Sequence, residues 1–445
     1  MIGTTLMSTL FGNRLSNKLD VLVSAYVKQG RFSGAVLVAQ GDHVLLNRGY
    51  GLANHEYNVP AAPHTRFRIG SMTKAFTALA IMQMVEQGKL ALTDHLSRFF
   101  PTFPNADRIT IQHLLANTSG IEDFISLPEY ASQMIRPLTH AELLALFEHR
   151  PLRFEPGTEF GYSNSNWVLL GLILEQLTGQ SYADVMYQRL LQPAGMTNSG
   201  YYWSQPLIKD RAQGYVDTGK VIQNAEVVHE DAMYAAGALY STVEDLYRWS
   251  KALEQSKLVT ARTLDHMTQP ITVAAEAGYG LGWELHTLHG HRAFGHSGGL
   301  PGFTANFLRF PHEHVTLIIL SNLGSAAWEK LTSDLAAIVF DQPYTLPADR
   351  AFVTLDPSVL AEYAGTYSMT FFGRTALLTF AVDDGVLTMS TPGLPTAVVS
   401  ALGGDKFYTR SKGEVELTFI RDGSGKFTRL EALWGGHDTH AERIA

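Results

Sequence analysis

The fold of this chain is decided by the stretch SMTKAFTALAIMQMVEQG, which occupies residues 71–88. Apolar residues recur there at intervals of three and four, which is the spacing of an α-helix with a buried face. Ser71 begins the predicted helix, and Gly88 ends it as a glycine typically does. Ser71 and Lys74 are three residues apart, so their side chains would share one face at the beginning of this helix.

Predicted strands lie on both sides of a mainly helical middle region. Apolar runs predict strands at residues 34–39, 44–46, 280–285, 292–294, 305–309 and 315–320. Further helices are predicted at residues 19–27, 111–115, 139–148, 166–177, 243–253 and 326–340. Because strands come first and last, we expect an α+β fold in which both ends of this region join one antiparallel sheet.

The composition changes near the C-terminus. Several prolines indicate a linker over residues 343–357. Residues 358–445 contain short alternating runs separated by turns rich in glycine and aspartate, a pattern typical of a small antiparallel β-barrel. The predicted organisation is therefore a large domain over residues 1–342, the linker, and a barrel domain over residues 358–445.

The overall composition excludes several classes of protein. Of 445 residues, 45% are hydrophobic and 17% charged, which predicts a large buried interior and excludes a mainly disordered chain. A net charge of -8 without basic runs argues against nucleic-acid binding. The lack of cysteine excludes disulfides, thiol catalysis and cysteine-ligated zinc. With no leader and no membrane-length apolar run, we expect a cytoplasmic protein, or a periplasmic or secreted one if a leader was removed.

The first candidate for chemistry is the pair Ser71 and Lys74. A serine hydroxyl is a weak nucleophile until a neighbouring group takes its proton, and Lys74 Nζ would reach Ser71 Oγ. The helix N-terminus also favours the negative charge that develops on that oxygen. Alone, the same residues also fit a capped helix whose lysine is solvated.

The second candidate is Tyr162-Ser163-Asn164, which precedes a predicted helix. In extended backbone, residues two apart point the same way, so Tyr162 and Asn164 would face one cleft. A tyrosine accepts a proton when a cation such as Lys74 stabilises its anion. The alternative is a turn tyrosine followed by an asparagine that caps the helix.

The third candidate is Gly295-His296-Ser297-Gly298-Gly299. His296 and Gly298 would face the same side, and Gly298 would let a substrate backbone approach closely. The N–H groups of Ser71 and Gly299 would together form an oxyanion hole. The alternative is a glycine-rich hairpin bend with a structural histidine.

The same five residues also match the Gly-x-Ser-x-Gly nucleophile elbow, with Ser297 as the nucleophile. An elbow runs from a strand into a helix, whereas another strand is predicted to follow here. We therefore reject Ser297 as the nucleophile.

The three motifs, taken in order, resemble the serine β-lactamase and penicillin-binding-protein superfamily. They are most similar to its class C β-lactamase-like branch, which also contains esterases, D-alanyl-D-alanine carboxypeptidases and D-aminopeptidases. The resemblance covers about residues 20–340 and implies a β-lactamase/transpeptidase-like fold. The segment that begins at Glu362 is similar to the lipocalin-like domain often appended in this branch.

The resemblance implies a serine hydrolase that acts through an acyl-enzyme on a small-molecule ester or on a peptide. Ser71 would be the nucleophile, and Lys74 and Tyr162 would share the acid and base steps. Asn164, His296 and Gly298 would bind substrate. The order in which Lys74 and Tyr162 take the proton stays open.

One departure from the family pattern concerns His296, which stands where true β-lactamases usually carry lysine. Because histidine is a weaker cation, we expect weak or no β-lactamase activity. Other histidines between residues 286 and 314 lack a recognised zinc spacing, so we expect no metal or other cofactor. The alternatives are an acyltransferase or peptide cyclase, and a penicillin-binding protein without turnover.

Overall fold

The computed structural model describes residues 2–274, 278–347, 350–371, 374–392, 394–410, 414–434 and 437–444. Within those ranges, no helix has both the length and the apolar character needed to cross a membrane.

Helices cover most of the middle of the chain. The α-helices are α1 (Ile2–Lys28), α2 (Thr73–Glu86), α3 (Ile111–Leu115), α4 (Tyr130–Gln133), α5 (His140–Ala145), α6 (Asn164–Thr178), α7 (Tyr182–Met186), α8 (Gln192–Ala194), α9 (Glu230–Gly237), α10 (Val243–Glu254), α11 (Ala261–Met267), α12 (Trp328–Val339) and α13 (Pro357–Leu360). The predicted helix at residues 139–148 begins with the predicted capping box, in which Thr139 and Glu142 exchange side-chain and backbone hydrogen bonds.

Strands before residue 322 form one main sheet and several short ribbons. They are β1 (Gly34–Gln40), β2 (His43–Tyr50), β3 (Leu52–Asn54), β4 (Val59–Pro60), β5 (Phe67–Arg68), β6 (Gly200–Tyr201), β7 (Tyr215–Asp217), β8 (Ile222–Asn224), β9 (Leu239–Ser241), β10 (Glu284–Leu288), β11 (His291–Leu300), β12 (Phe303–Phe310) and β13 (Val315–Ser321). The main sheet has the order β10-β11-β12-β13-β1-β2. Its antiparallel β1–β13 pair joins the beginning of the chain to residues 315–321, as predicted.

The central strands β12, β13 and β1 of the main sheet are buried on both faces. Leu37 of β1 packs in the cluster that contains α2 and α6, whereas its neighbour Val38 packs in the cluster that contains α1 and α12. This explains why β1 is a continuous apolar run, because a strand covered on both faces has no solvent-facing positions.

Helix α2 lies at the centre of the larger cluster and is buried on nearly all sides. Its polar residues Thr73, Lys74 and Thr77 are as inaccessible as its apolar ones. The sequence predicted a single apolar face, but α6, α9 and β11 all contact this helix. Its polar side chains must therefore find partners inside the protein.

The strand prediction for residues 280–285 was only partly right, because β10 begins at Glu284. Gly282 has a φ of +78°, and a Cβ at this position would lie 2.4 Å from Cβ of Ala78 on α2. The segment before Glu284 therefore packs against α2 in an irregular conformation, and the hydrogen bonds of the β-sheet begin at Glu284. Conversely, β11 continues through Gly295–Gly299, where the sequence also fitted a bend.

The C-terminal strands close into a barrel, as predicted. They are β14 (Gly365–Phe371), β15 (Arg374–Asp383), β16 (Val386–Thr391), β17 (Leu394–Gly403), β18 (Lys406–Arg410), β19 (Glu414–Arg421), β20 (Phe427–Trp434) and β21 (His437–Arg443). Each strand pairs with the next, and β14 pairs with β21 to complete the circle. Phe407, Phe419 and Tyr367 fill the interior. The limits predicted for the domains and the linker stay a prediction.

The barrel contacts the larger region through buried charges. Arg31, just after α1, forms an ion pair with Glu414 of β19, and their side chains are only 7% and 13% exposed. Arg410 of β18 donates to the carbonyl oxygen of Gln29 at 3.2 Å and pairs with Asp217 at 3.3 Å. Removal of one partner would leave a largely buried charge without compensation, so the contact between the barrel and the larger region depends on these pairs.

We predict that Glu414→Ala lowers the free energy of unfolding by about 3 kcal/mol, because it leaves the Arg31 guanidinium buried without its carboxylate. The control is Glu416→Ala on the same strand, which removes a carboxylate whose pair with Arg350 is more exposed and should cost less than about 1 kcal/mol. Urea unfolding followed by tryptophan fluorescence measures both. Equal losses for the two variants would contradict this account of the barrel contact.

Candidate active site

Ser71 lies in a short 3-10 helix, Gly70–Met72, that leads directly into α2. It is partly exposed, while its neighbours Gly70 and Met72 are buried. Gly70 has a φ of +52°, a conformation that side-chain-bearing residues rarely adopt. The tight turn thus holds the serine hydroxyl at the surface of a well-packed region.

Lys74 is fully buried and directs its ammonium group at three oxygens. Nζ lies 2.9 Å from Ser71 Oγ, 2.8 Å from Asn164 Oδ1 and 2.8 Å from the carbonyl oxygen of Ala236. A lysine ammonium has three N–H donors, and each of these oxygens can accept one. The structure therefore brings together α2, α6 and α9 around one nitrogen, and the lysine is not solvated.

Tyr162 stands beside this pair. Its ring centroid lies 5.1 Å from Lys74 Nζ, and its hydroxyl is hydrogen-bonded to the Ser71 side chain. Burial raises the pKa of Tyr162 well above its usual value, and the nearby Glu284 carboxylate adds to this, while the Ser71 hydrogen bond opposes it. The phenol is therefore protonated at neutral pH.

Asn164 is the first residue of α6, and its side chain does not cap that helix. Its Oδ1 accepts from Lys74, and its Nδ2 donates to Asp123 Oδ1 at 3.1 Å. Both ends of the amide are thus occupied within the protein. The substrate-binding role that the resemblance implies for Asn164 stays a prediction.

The backbone of strand β11 lies very close to the backbone of the Ser71 turn. A Cβ on Gly298 would lie 1.9 Å from the carbonyl oxygen of Ile69, and a Cβ on Gly70 would lie 2.9 Å from the nitrogen of Gly299. Both glycines are therefore required by this close packing. It places the Gly299 backbone beside the turn that carries Ser71, as an oxyanion hole requires.

His296 is 1% exposed, and both of its ring nitrogens are engaged. Nδ1 lies 2.6 Å from the carbonyl oxygen of Ser297, which only accepts, so Nδ1 carries the proton. Nε2 then accepts from the Tyr279 hydroxyl at 3.1 Å. Burial lowers the pKa of His296, as does Lys74, although Glu284 opposes this shift.

The carboxylate of Glu284 lies behind His296. It accepts from the backbone nitrogen of Ser297 at 2.9 Å and from Ser297 Oγ at 2.8 Å. Burial alone would raise the pKa of Glu284, but His296, His286 and Ser297 lower it to about 2. Glu284 is therefore an anion at neutral pH.

Ser297 lies within β11 and is followed by β12, so no strand-to-helix turn exists at this position. Its hydroxyl is committed to Glu284. The geometry thus agrees with the rejection of Ser297 as an elbow nucleophile.

Sequence reasoning missed four groups at this site: Asp123, the carbonyl of Ala236, Tyr279 and Glu284. None belongs to a spaced motif, since each reaches the site only through the tertiary fold. The alternating residues of β10 offered one signal, because Glu284 pairs with Gly295 of the third motif across the sheet.

We predict that Gly70→Ala slows the labelling of Ser71 by a fluorophosphonate about 100-fold, because the new Cβ would push β11 away from the turn. Gly88→Ala is the matched control, since Gly88 also has a positive φ, +68°, but has nothing within 4 Å of an added Cβ. It should cost about 1 kcal/mol of stability and leave the labelling rate unchanged. If both variants label at the wild-type rate, the contact between Gly70 and β11 does not matter for the serine.

Comparison with known proteins places this arrangement in a family. The family model described as Beta-lactamase matches residues 19–338. Penicillin-binding protein 4* of Bacillus subtilis (strain 168) is 29% identical over 93% of this chain and 96% of its own length. The crystal structure of a penicillin binding protein from Bacillus halodurans is 29% identical, with a TM-score of 0.63 over 72% of this chain and 98% of that one. A D-amino acid amidase from Ochrobactrum anthropi SV3, 24% identical, shares the fold with a TM-score of 0.65 over 74% of this chain and 99% of its own. The chain therefore belongs to the beta-lactamase family.

Proposed function

We propose that this protein is a serine hydrolase that cleaves a carboxylic ester or an amide through an acyl-enzyme on Ser71. The observation that carries the proposal is the buried Lys74 Nζ, 2.9 Å from Ser71 Oγ and hydrogen-bonded to two further oxygens. A buried amine aimed at a partly exposed serine hydroxyl supplies the base that such a nucleophile needs.

Lys74 is the better placed of the two candidates to take the first proton. In its neutral form, Lys74 still donates one N–H to Asn164 Oδ1 and one to the Ala236 carbonyl, since both oxygens accept only. The remaining tetrahedral position of Nζ is then the lone pair, and it faces Ser71 Oγ. The proton moves from Ser71 to Lys74 without any rearrangement of the other two contacts.

Tyr162 is suited to the opposite task. As a phenol hydrogen-bonded to Ser71, it holds its proton at neutral pH, so it has a proton to give and is not available as a tyrosinate base. After Ser71 Oγ bonds to the carbonyl carbon, the bond to the leaving group breaks and Tyr162 gives that group its proton. The proton held by Lys74 then restores the phenol.

The oxygen that becomes negative in this step would be held by the N–H groups of Ser71 and Gly299. Water then attacks the acyl ester, the bond between Ser71 and the acyl carbon breaks, and the serine regains its proton. An amine in place of water would give acyl transfer through the same steps.

The charges near His296 favour substrates without a carboxylate at this position. His296 is held neutral, and Glu284 next to it is an anion. A β-lactam carboxylate would meet a neutral imidazole and an anion there, which supports the expectation of weak β-lactamase activity. Because one relative by fold is a D-amino acid amidase, amides of D-amino acids belong to the candidate substrates together with simple esters.

The test combines labelling with a substrate panel. We expect a fluorophosphonate to modify Ser71, and Ser71→Ala to abolish both labelling and hydrolysis, which peptide mapping and initial rates would measure. Ser250→Ala, a buried serine of α10 bonded to Thr316, is the control and should keep both. The panel contains p-nitrophenyl butyrate, D-phenylalanine amide and nitrocefin. We expect the ester or the amide to be hydrolysed faster than the β-lactam nitrocefin.

Two results would count against the proposal. Labelling at Ser297, or unchanged hydrolysis in Ser71→Ala, would refute Ser71 as the nucleophile. A penicillin adduct on Ser71 that persists, together with no turnover of any ester or amide, would favour a penicillin-binding protein without hydrolysis.

A further inference from the structure

Asp123 is a buried carboxylate that contacts the beginning of α6. It is 1% exposed, and its Oδ1 accepts from the backbone nitrogen of Asn164 at 3.0 Å and from Asn164 Nδ2 at 3.1 Å. The first turn of a fifteen-residue helix stabilises a negative charge at this position. The Asn164 side chain thus connects the Asp123 carboxylate to Lys74 through one hydrogen bond at each end of its amide.

The loop that carries Asp123 is fixed to α6 by hydrogen bonds on both sides of it. Ser165 Oγ donates to the carbonyl oxygen of Glu122 at 2.6 Å and accepts from the backbone nitrogen of Phe124 at 3.1 Å. The position of the carboxylate is therefore set by the same helix that carries Asn164.

The bond to Asp123 decides which end of the Asn164 amide faces Lys74. A carboxylate only accepts, so the Nδ2 group must point to Asp123 and Oδ1 must point to Lys74. If the amide were reversed, its NH2 would face the ammonium of Lys74, donor against donor. The orientation of one side chain thus determines whether Lys74 keeps its second acceptor.

We propose that Asp123 is a positioning residue that acts through Asn164 on Lys74. It fixes the amide orientation, and its negative charge raises the proton affinity of Lys74. This inference rests on the proposed function, in which neutral Lys74 takes the proton of Ser71.

Other charged and titratable groups near Lys74 include a phenol, an imidazole and a carboxylate. Tyr162, next to α6, is a neutral phenol, and His296 of β11 is a neutral imidazole. Glu284 of β10 is an anion that lies behind His296. Asp123 differs from all of these because a single amide connects it to the lysine.

The experiment measures how fast a fluorophosphonate labels Ser71 in the full-length protein as a function of pH. Labelling rises with pH as Lys74 loses its proton. In Asp123→Asn, the side-chain oxygen still accepts both hydrogen bonds that now reach Oδ1, but the negative charge is gone. The ammonium is then less stable, so we expect the midpoint of the rise to move about one unit to lower pH.

Asp123→Ala removes the acceptor as well as the charge. We expect the same direction of shift together with a maximal rate about tenfold lower, because the Asn164 amide is then free to reverse. Should Asp123→Asn fail to fold, as judged by circular dichroism, the pH profile of Asp123→Ala supplies the same readout.

Asp245→Asn is the matched control. Like Asp123, Asp245 is a buried carboxylate at the beginning of a helix, where it lies in the first turn of α10, and it accepts from Asn198 and Ser199 away from the site. Its loss should lower the thermal unfolding midpoint and leave the pH midpoint of labelling unchanged. A merely structural role for Asp123 would give this same pattern and would overturn the inference.

A double variant tests whether Asn164 transmits the effect. The drop in maximal rate that Asp123→Ala causes should vanish when Asn164→Ala is already present, because no amide remains to be oriented. An undiminished drop would overturn the positioning role. Failure of the proposed function looks different, since the wild-type protein would then either resist labelling at Ser71 or hydrolyse no ester or amide.

Discussion

The site depends on one lysine nitrogen that lies entirely out of water. A buried ammonium without partners is strongly unfavourable, so the burial of Lys74 depends on oxygens such as the three that accept from it. These oxygens come from the Ser71 turn, from α6 and from α9. The buried lysine therefore requires the Ser71 turn, α6 and α9 to stay packed around α2, so that their oxygens remain within hydrogen-bond distance of Nζ.

One of these oxygens is supplied at a cost in backbone strain. Tyr234 of α9 has φ 40° and ψ -129°, an unusual conformation that costs about 1–3 kcal/mol. Beyond it, the carbonyl oxygens of Ala235 and Ala236 accept from Thr77 at 2.9 Å and from Lys74 at 2.8 Å. Thr77 and Lys74 are neighbours on one face of α2, so the break in α9 directs two successive carbonyls to one helix. The hydrogen bonds that these two carbonyls accept from the buried side chains of Thr77 and Lys74 thus offset the strain in α9.

The sequence predicted those parts of the site that local geometry determines. A spacing of three residues places Lys74 beside Ser71 on any helix, and residues two apart in an extended segment explain Tyr162 and Asn164. It could not reveal Asp123 or Ala236, since their partners Asn164 and Lys74 are 41 and 162 residues away along the chain. The strand limits failed near Gly282 for the same reason, because its close approach to α2 is a tertiary contact without a local pattern.

Tertiary contacts also decide the charge of residues that the sequence had named as candidates. Histidine at position 296 suggested a cation that depends on pH, but its surroundings leave the imidazole neutral and give the negative charge to Glu284. The charges around the site are arranged as follows: the ammonium of Lys74 faces Ser71, Glu284 lies next to His296, and Asp123 accepts from Asn164. The positive charge of Lys74 thus lies next to the serine hydroxyl, and the two anions lie one residue farther away from it. A lysine at position 296 would place a cation where the neutral His296 now lies. A match to the third motif therefore does not by itself determine which substrate charge the site accepts.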